Sequence, residues 1–183
     1  GYYGVHGDET LTEDAPAGDD FLAGLVVEHE QAIAPVRALG VRLAIARTGV
    51  VFSPRGGALP LMVLPFRLFA GGPVGGGRQY ISWIHLADEV AALRFLVEDG
   101  RAEGAFNLAA PNPVTNAEFG RAVGRVLHRP SFVPTPAFPL RLALGEMATV
   151  VLDGQRVVPR RLTDLGFKFR FAEAEAALRD VLR

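Results

Sequence analysis

Apolar positions change their spacing halfway through the chain. From Tyr80 to Leu86 the sequence YISWIHL is short and largely apolar, which predicts a strand. Directly after it Leu86, Val90, Leu93 and Val97 recur at i, i+4, i+7 and i+11, the stripe of a helix facing a core. Asp88 and Glu89 fall in the first turn of that helix, where carboxylates complement the helix dipole. The preceding stretch Gly71–Gly77, GGPVGGG, either turns the chain or lets backbone approach a ligand closely.

Upstream, Asp19 and Asp20 are placed to cap a helix whose apolar face is Leu22, Leu25, Val26, His29, Ile33 and Val36. Pro35 interrupts it and Gly40 ends it. Val41 to Ala46 is then an apolar strand broken only by Arg42, as expected of a strand covered on both faces. This strand and helix rhythm predicts an α/β fold with a parallel sheet and crossover helices. Leu59 to Phe69 reads as a helix despite Pro60 and Pro65, and Gly104 to Ala109 as a strand. Thr115-Asn116-Ala117-Glu118 is a capping box, followed by a helix with Phe119, Ala122, Val123, Val126 and Leu127 on one face.

Four prolines between Pro130 and Pro139 mark a linker. Beyond it the pattern predicts a helix over Leu140–Leu152, the basic segment Arg156–Arg161, a strand over Phe167–Phe171 and a helix over Glu173–Leu182. The expected division is residues 1–129 as the sheet-bearing domain and 130–183 as a small α-rich one.

Hydrophobic residues make up 49% of the 183 positions and mean hydropathy is +0.22, high for a domain of this size. No apolar run approaches the roughly 20 residues of a membrane helix, so a missing packing partner is the better explanation. A net charge of −1 points to neither nucleic acid nor an anionic membrane. Without cysteine there is no disulfide, thiolate nucleophile or zinc-thiolate site, and the four histidines form no H-x-x-x-H pair, so no metal site is expected. The opening GYYGVHGDE has no signal-peptide pattern, which makes the cytoplasm the default location. A folded chain seldom begins at such a corner, and residues before Gly1 are expected.

No G-x-G-x-x-G follows a strand, and no G-x-S-x-G, Walker A loop or H-E-x-x-H occurs. Ser82, Trp83, His85 and Asp88 gather at one strand-to-helix corner, where α/β proteins place ligands. A packed junction with a satisfied core Trp83 and His85 accounts for the same residues equally well. Arg156, Arg160 and Arg161 could grip an anion or form a solvated face. Unaided, the residues reach a ligand-binding α/β domain and no further.

The segments GYYG, LAIARTGVVFSP, RQYISWIHLADEVA and FNLAAPNPVTNAEF, in this order, resemble the C-terminal two-thirds of an extended short-chain dehydrogenase/reductase. The tail LGEMATVVLDGQRVVPRRLTDLGFKF is similar to the DUF1731 domain of the NAD-dependent epimerase/dehydratase subfamily. The resemblance implies a Rossmann-like sheet binding NAD or NADP, with a nucleotide-sugar or small carbonyl compound as substrate. It implies no nucleic-acid or membrane partner and is compatible with a homo-oligomer. It places Tyr3, Thr48, Gly49 and Val50 beside the nicotinamide and Arg78, Gln79 and Trp83 on the substrate side. His85 is expected to anchor the corner rather than to catalyse. The family's Gly-rich first turn is absent, and Phe21-Leu22 and Leu25-Val26 stand where its Tyr-x-x-x-Lys pair belongs. Tyr2 or Tyr3, at the adjacent corner, is the remaining candidate for the proton-transferring hydroxyl, with Tyr3 the one carried forward. That loss supports an alternative, a nicotinamide-binding sensor or interaction protein without turnover. The missing first turn also predicts that residues 1–183 alone bind no dinucleotide.

Overall fold

The computed structural model describes residues 1–134 and 154–182. The helix expected over Leu140–Leu152 lies outside the described residues.

In chain order the elements are β1 (Thr10–Leu11), α1 (Phe21–Ile33), a 3-10 turn (Ala34–Leu39), β2 (Ala44–Thr48), β3 (Val50–Phe52), α2 (Leu59–Arg67), β4 (Tyr80–Ile81), β5 (Trp83–His85), α3 (Leu86–Glu98), β6 (Gly104–Leu108), β7 (Val114–Thr115), α4 (Asn116–Leu127), β8 (Arg156–Val157), α5 (Arg160–Asp164) and α6 (Ala174–Leu182). β2 pairs in parallel with β6, β3 with β5 and β1 with β8, while β4 and β7 are antiparallel. The parallel α/β arrangement predicted from the strand and helix rhythm is present.

Alternation along the strands separates two cores. Phe52 and Trp83 point to one face, packed with α2, α4 and α6 through Leu59, Val63, Phe119 and Leu178. Val51 and Ile84 point to the other, with Leu96 of α3, Phe106 and Leu108 of β6 and Leu162 of α5. Residues 156–182 are therefore packed into both cores and also supply β8, the partner of β1.

Local signals acted largely as expected. Asp20 caps α1 by accepting from the Ala23 N–H at 2.8 Å, Pro35 lies in the 3-10 turn and Gly40 ends it. The capping box forms, with the Thr115 hydroxyl and the Glu118 carboxylate each satisfying the other's backbone N–H.

Four expectations require correction. The stripe Leu86, Val90, Leu93 and Val97 faces outward, with Val97 76% exposed. α3 instead buries Asp88, Glu89, Ala92 and Leu96, because both carboxylates find partners beneath the helix and Ala92 permits close approach. In α1 only Ala23 is buried, and Leu25 and Ile33 of the expected core face are exposed. The strand expected at Val41–Ala46 begins at Ala44 and runs to Thr48. Arg42, just before it, donates to the carbonyls of Leu96, Val97 and Ala102 and so ties the end of α3 to the sheet. Phe167–Phe171 forms no strand: Asp88 takes the N–H groups of Arg170 and Phe171 that a ladder would use.

Candidate functional site

The strand pair β2–β3 changes neighbours at Gly49. The Gly49 N–H donates to the Leu108 carbonyl at 3.0 Å, and the Val50 N–H donates to the Ser82 carbonyl at 2.8 Å. A Cβ at Gly49 would lie 2.6 Å from the Ser82 carbonyl oxygen, so only glycine allows the two strands this approach. Thr48, Gly49 and Val50 thus sit together at the carboxyl end of β2, next to the start of β5. Crevices at such strand ends are where α/β sheets hold ligands.

Thr48 donates its hydroxyl to Glu89 Oε1 at 2.9 Å, while Glu89 Oε2 is buried without a partner. Burial raises the Glu89 pKa, with the Thr48 bond opposing the shift. A carboxyl raised in the folded state stabilises the fold while protonated, and this contribution is lost as pH rises through its folded value. Relative to Glu89→Gln, the native chain should therefore lose stability as pH rises above the ordinary carboxyl range. Denaturant midpoints of both proteins across pH 4–8 check this, and parallel curves would exclude it.

Tyr3 belongs to a polar cluster around Arg47, the residue before Thr48. Its ring is 2% exposed, and its hydroxyl donates to Asn107 Oδ1 at 2.6 Å and accepts from Arg47 at 3.1 Å. Burial raises the phenol pKa, and Arg47 pulls against that rise. Arg47 forms a two-pronged pair with Glu30 at 2.7 and 2.8 Å and lies 3.3 Å over the Tyr2 ring. Burial opposes its charge, but Glu30 and Tyr3 hold the guanidinium above its ordinary pKa. Asn107 also donates to the Val158 carbonyl, and its own N–H is taken by Glu13, which accepts the Arg161 N–H as well. The cluster joins the first corner of the chain, β2, β6 and the C-terminal segment.

Of the residues expected on the substrate side, Trp83 is wholly buried, stacked on Phe52 at 4.9 Å and donating its indole N–H to the Asn112 carbonyl. It is a core side chain here. Arg78 is exposed, and Gln79 donates to the Val74 carbonyl. His85 anchors the corner: Nδ1 accepts the Ala87 N–H, Nε2 meets Asp180 at 3.2 Å, and Phe171 stacks on the ring at 3.9 Å. At the family's Tyr-x-x-x-Lys positions, Phe21 and Leu25 present exposed apolar side chains.

Sequence reading missed Glu13 and Asn107, and placed Ser82 at the corner without its tie to the C-terminal segment. Asn107 carried a signal, a polar residue inside the apolar run GAFNLA. Glu13 carried none, since its partners Asn107 and Arg161 lie far away in sequence. Among the described residues no helix is long and apolar enough to cross a membrane.

Residues 135–181 match the family model DUF1731, a domain of unknown function. The chain is 41% identical over its full length to epimerase family protein YfhF of Bacillus subtilis, covering 60% of that protein. It is 42% identical to epimerase family protein SDR39U1 of Mus musculus over 99% of the chain and 62% of that protein. Among solved structures it resembles human epimerase family protein SDR39U1, crystallised with NADPH, at a TM-score of 0.93 and 38% identity, over 98% of this chain and 61% of that one. The nucleoside-diphosphate sugar epimerase from Corynebacterium glutamicum matches at a TM-score of 0.80 and 35% identity, over 99% of this chain and 35% of that one. The chain thus spans about three-fifths of the length of these curated relatives.

Proposed function

We propose that this chain, a relative of the epimerase family proteins along its whole length, forms the substrate-side part of an NAD(P)-dependent epimerase, dehydratase or reductase. One observation carries the reading: the likeness, at a TM-score of 0.93, to the human relative crystallised with NADPH. In this reading Thr48, Gly49 and Val50 face the nicotinamide at the strand ends, and Arg78 and Gln79 face a nucleotide-sugar or small carbonyl substrate. Tyr3 and Trp83 act from behind, holding the backbone that carries these residues. Bound NAD(P) would supply hydride transfer; the chain's own residues position and enclose the reacting groups. Residues 1–129 form the Rossmann-like part and 130–183 the C-terminal unit, consistent with a family match that begins at residue 135.

A second reading rests on a specific observation. Phe21 and Leu25 cannot move a proton, and the Tyr3 hydroxyl is committed to Asn107 and Arg47. A protein of this kind could bind the cofactor as a sensor without turnover.

Calorimetric titration with NADPH and NADH tests the proposal. The 183-residue chain should give no saturable heat, because its described elements supply no glycine turn for the pyrophosphate. A longer protein carrying these residues behind a complete first turn should bind, and loss of nicotinamide absorbance with carbonyl substrates separates enzyme from sensor. Micromolar binding by the bare chain would overturn the assigned division of labour. No binding by the longer protein would overturn the cofactor reading.

A further inference from the structure

Proton transfer has no carrier on α1. Its 13 residues contain no hydroxyl and no lysine, and Phe21 and Leu25 expose apolar side chains. The Tyr3 hydroxyl is buried and already bonded to Asn107 and Arg47. A hydroxyl in different surroundings stands at the end of β2. Successive side chains of a strand point to opposite faces, so Arg47 meets Glu30 of α1 while Thr48 meets Glu89 of α3. Thr48 is exposed, whereas Glu89 beneath it is 8% exposed. Thr48 Oγ1 and Glu89 Oε1 lie 2.9 Å apart, and Glu89 Oε2 is buried with no partner.

Among the described residues no cation pairs with Glu89. On α3 itself, Asp88 turns to the Arg170 and Phe171 N–H groups, and Arg94 pairs with Glu98 at the surface. On β5, His85 meets Asp180, while β3 and β6 carry no titratable side chain. A buried carboxyl without a cation or a second donor favours its neutral form. The neutral form reverses the contact: Glu89 Oε1–H donates to Thr48 Oγ1, and the Thr48 hydrogen is released to donate outward. An ionised Glu89 takes that hydrogen back.

We infer that Glu89 and Thr48 form a proton-delivering dyad, with the exposed Thr48 hydroxyl as donor to a carbonyl oxygen of the substrate. The inference rests on the proposed function in placing that substrate at the end of β2. As a hydride from reduced nicotinamide reaches the carbonyl carbon, the carbon–oxygen π pair moves onto oxygen. That oxygen takes the Thr48 hydrogen, and Thr48 takes the proton from Glu89 Oε1. Glu89 is left as a carboxylate, which water reprotonates. Thr48 touches the reacting oxygen, and Glu89 acts through it.

Two measurements test the dyad. In the 183-residue chain the Glu89 carboxyl carbon, followed by carbon-13 NMR from pH 4 to 9, should titrate above ordinary glutamates. Thr48→Val removes the hydroxyl that favours the charged form, so the same signal should move to still higher pH. In the longer protein, NADPH absorbance follows reduction of phenanthrenequinone, a dicarbonyl probe, and the rate should fall as pH rises through the Glu89 titration. Glu89→Gln still donates to Thr48 but carries no transferable proton. Its kcat should fall roughly tenfold or more and lose that pH dependence, with KM and NADPH affinity unchanged. Thr48→Val should lose as much, and Thr48→Ser should retain most of the rate. An unmoved Glu89 signal in Thr48→Val, or a native rate and pH profile in Glu89→Gln, would overturn the dyad. Should Thr48→Val fail to fold, Glu89→Gln decides. Failure of NADPH to bind sinks the cofactor reading and the dyad together, whereas bound NADPH without quinone reduction sinks the dyad alone.

Discussion

Replacing Glu30 with alanine is expected to destabilise the protein by about 3–5 kcal/mol, the usual cost of leaving one member of a buried ion pair alone. Both partners are largely out of water, with side chains 10% (Arg47) and 17% (Glu30) exposed. Arg47 would keep the Tyr3 hydroxyl and its contacts with the Tyr2 and Tyr3 rings. For a chain of this length the loss corresponds to a melting temperature lowered by about 6–20 °C. Removing both charges is a different experiment: Glu30→Leu with Arg47→Met should recover most of the loss, since no uncompensated charge remains. Thermal melts of the single and double variants check this. A double variant as unstable as Glu30→Ala would mean that the network holds the fold through Tyr3 and Asn107 instead.

Asp88→Ala is the second large effect. Asp88 is 2% exposed, and its two oxygens accept the N–H groups of Arg170 and Phe171, each at 2.9 Å. Alanine leaves two donors without partners, at about 1–3 kcal/mol each. These residues lead into α6, whose Ala174, Ala177, Leu178 and Val181 pack in the same core as Trp83. Losing the anchor should loosen α6 and let water reach that core. Trp83 is the only tryptophan, so its fluorescence reports on the event without labelling. The emission should shift to longer wavelength in Asp88→Ala under conditions where the native chain remains folded. Asp88→Asn keeps one acceptor oxygen and should fall between the two. An unshifted spectrum with an unchanged denaturant midpoint would show that α6 is held by its apolar face alone.

How much of this could be read in advance depended on how far apart the interacting residues lie. Elements set by neighbours were legible: the Asp20 cap, the stop at Gly40 and the capping box at Thr115 and Glu118 each act within a few residues. The parallel class followed from rhythm. The orientation of α3 did not, because Leu86, Val90, Leu93 and Val97 form a sound apolar stripe, and only the partners of Asp88 and Glu89 show which side faces the sheet. Those partners are Thr48, Arg170 and Phe171, the last two more than eighty positions away. The candidate site divided along the same line. The backbone corner at Gly49 was visible from the resemblance. Burial of Tyr3 and Trp83 depends on Asn107, Arg47 and Phe52 closing around them, which no local pattern announces. Arg156 was noticed only as part of a basic run, and its place over the Tyr80 ring is a property of the folded chain.

The contact between the first and last segments has a consequence for the order of events during synthesis. Gln155 donates to the Gly4 carbonyl across 151 positions, Leu11 accepts the Val158 N–H, and Glu13 reaches Arg161 across 148. The opening corner therefore cannot reach its final packing until residues near 161 have left the ribosome. Until then Leu11 and Glu13 lack partners that bury them, while the β2–β6 pair and the packing of α2 on α4 are already available. Contacts this distant are slow to close. Ribosome-bound chains halted before residue 155 should show protease cleavage between Gly1 and Pro16 that disappears once the stall point moves well beyond Arg161.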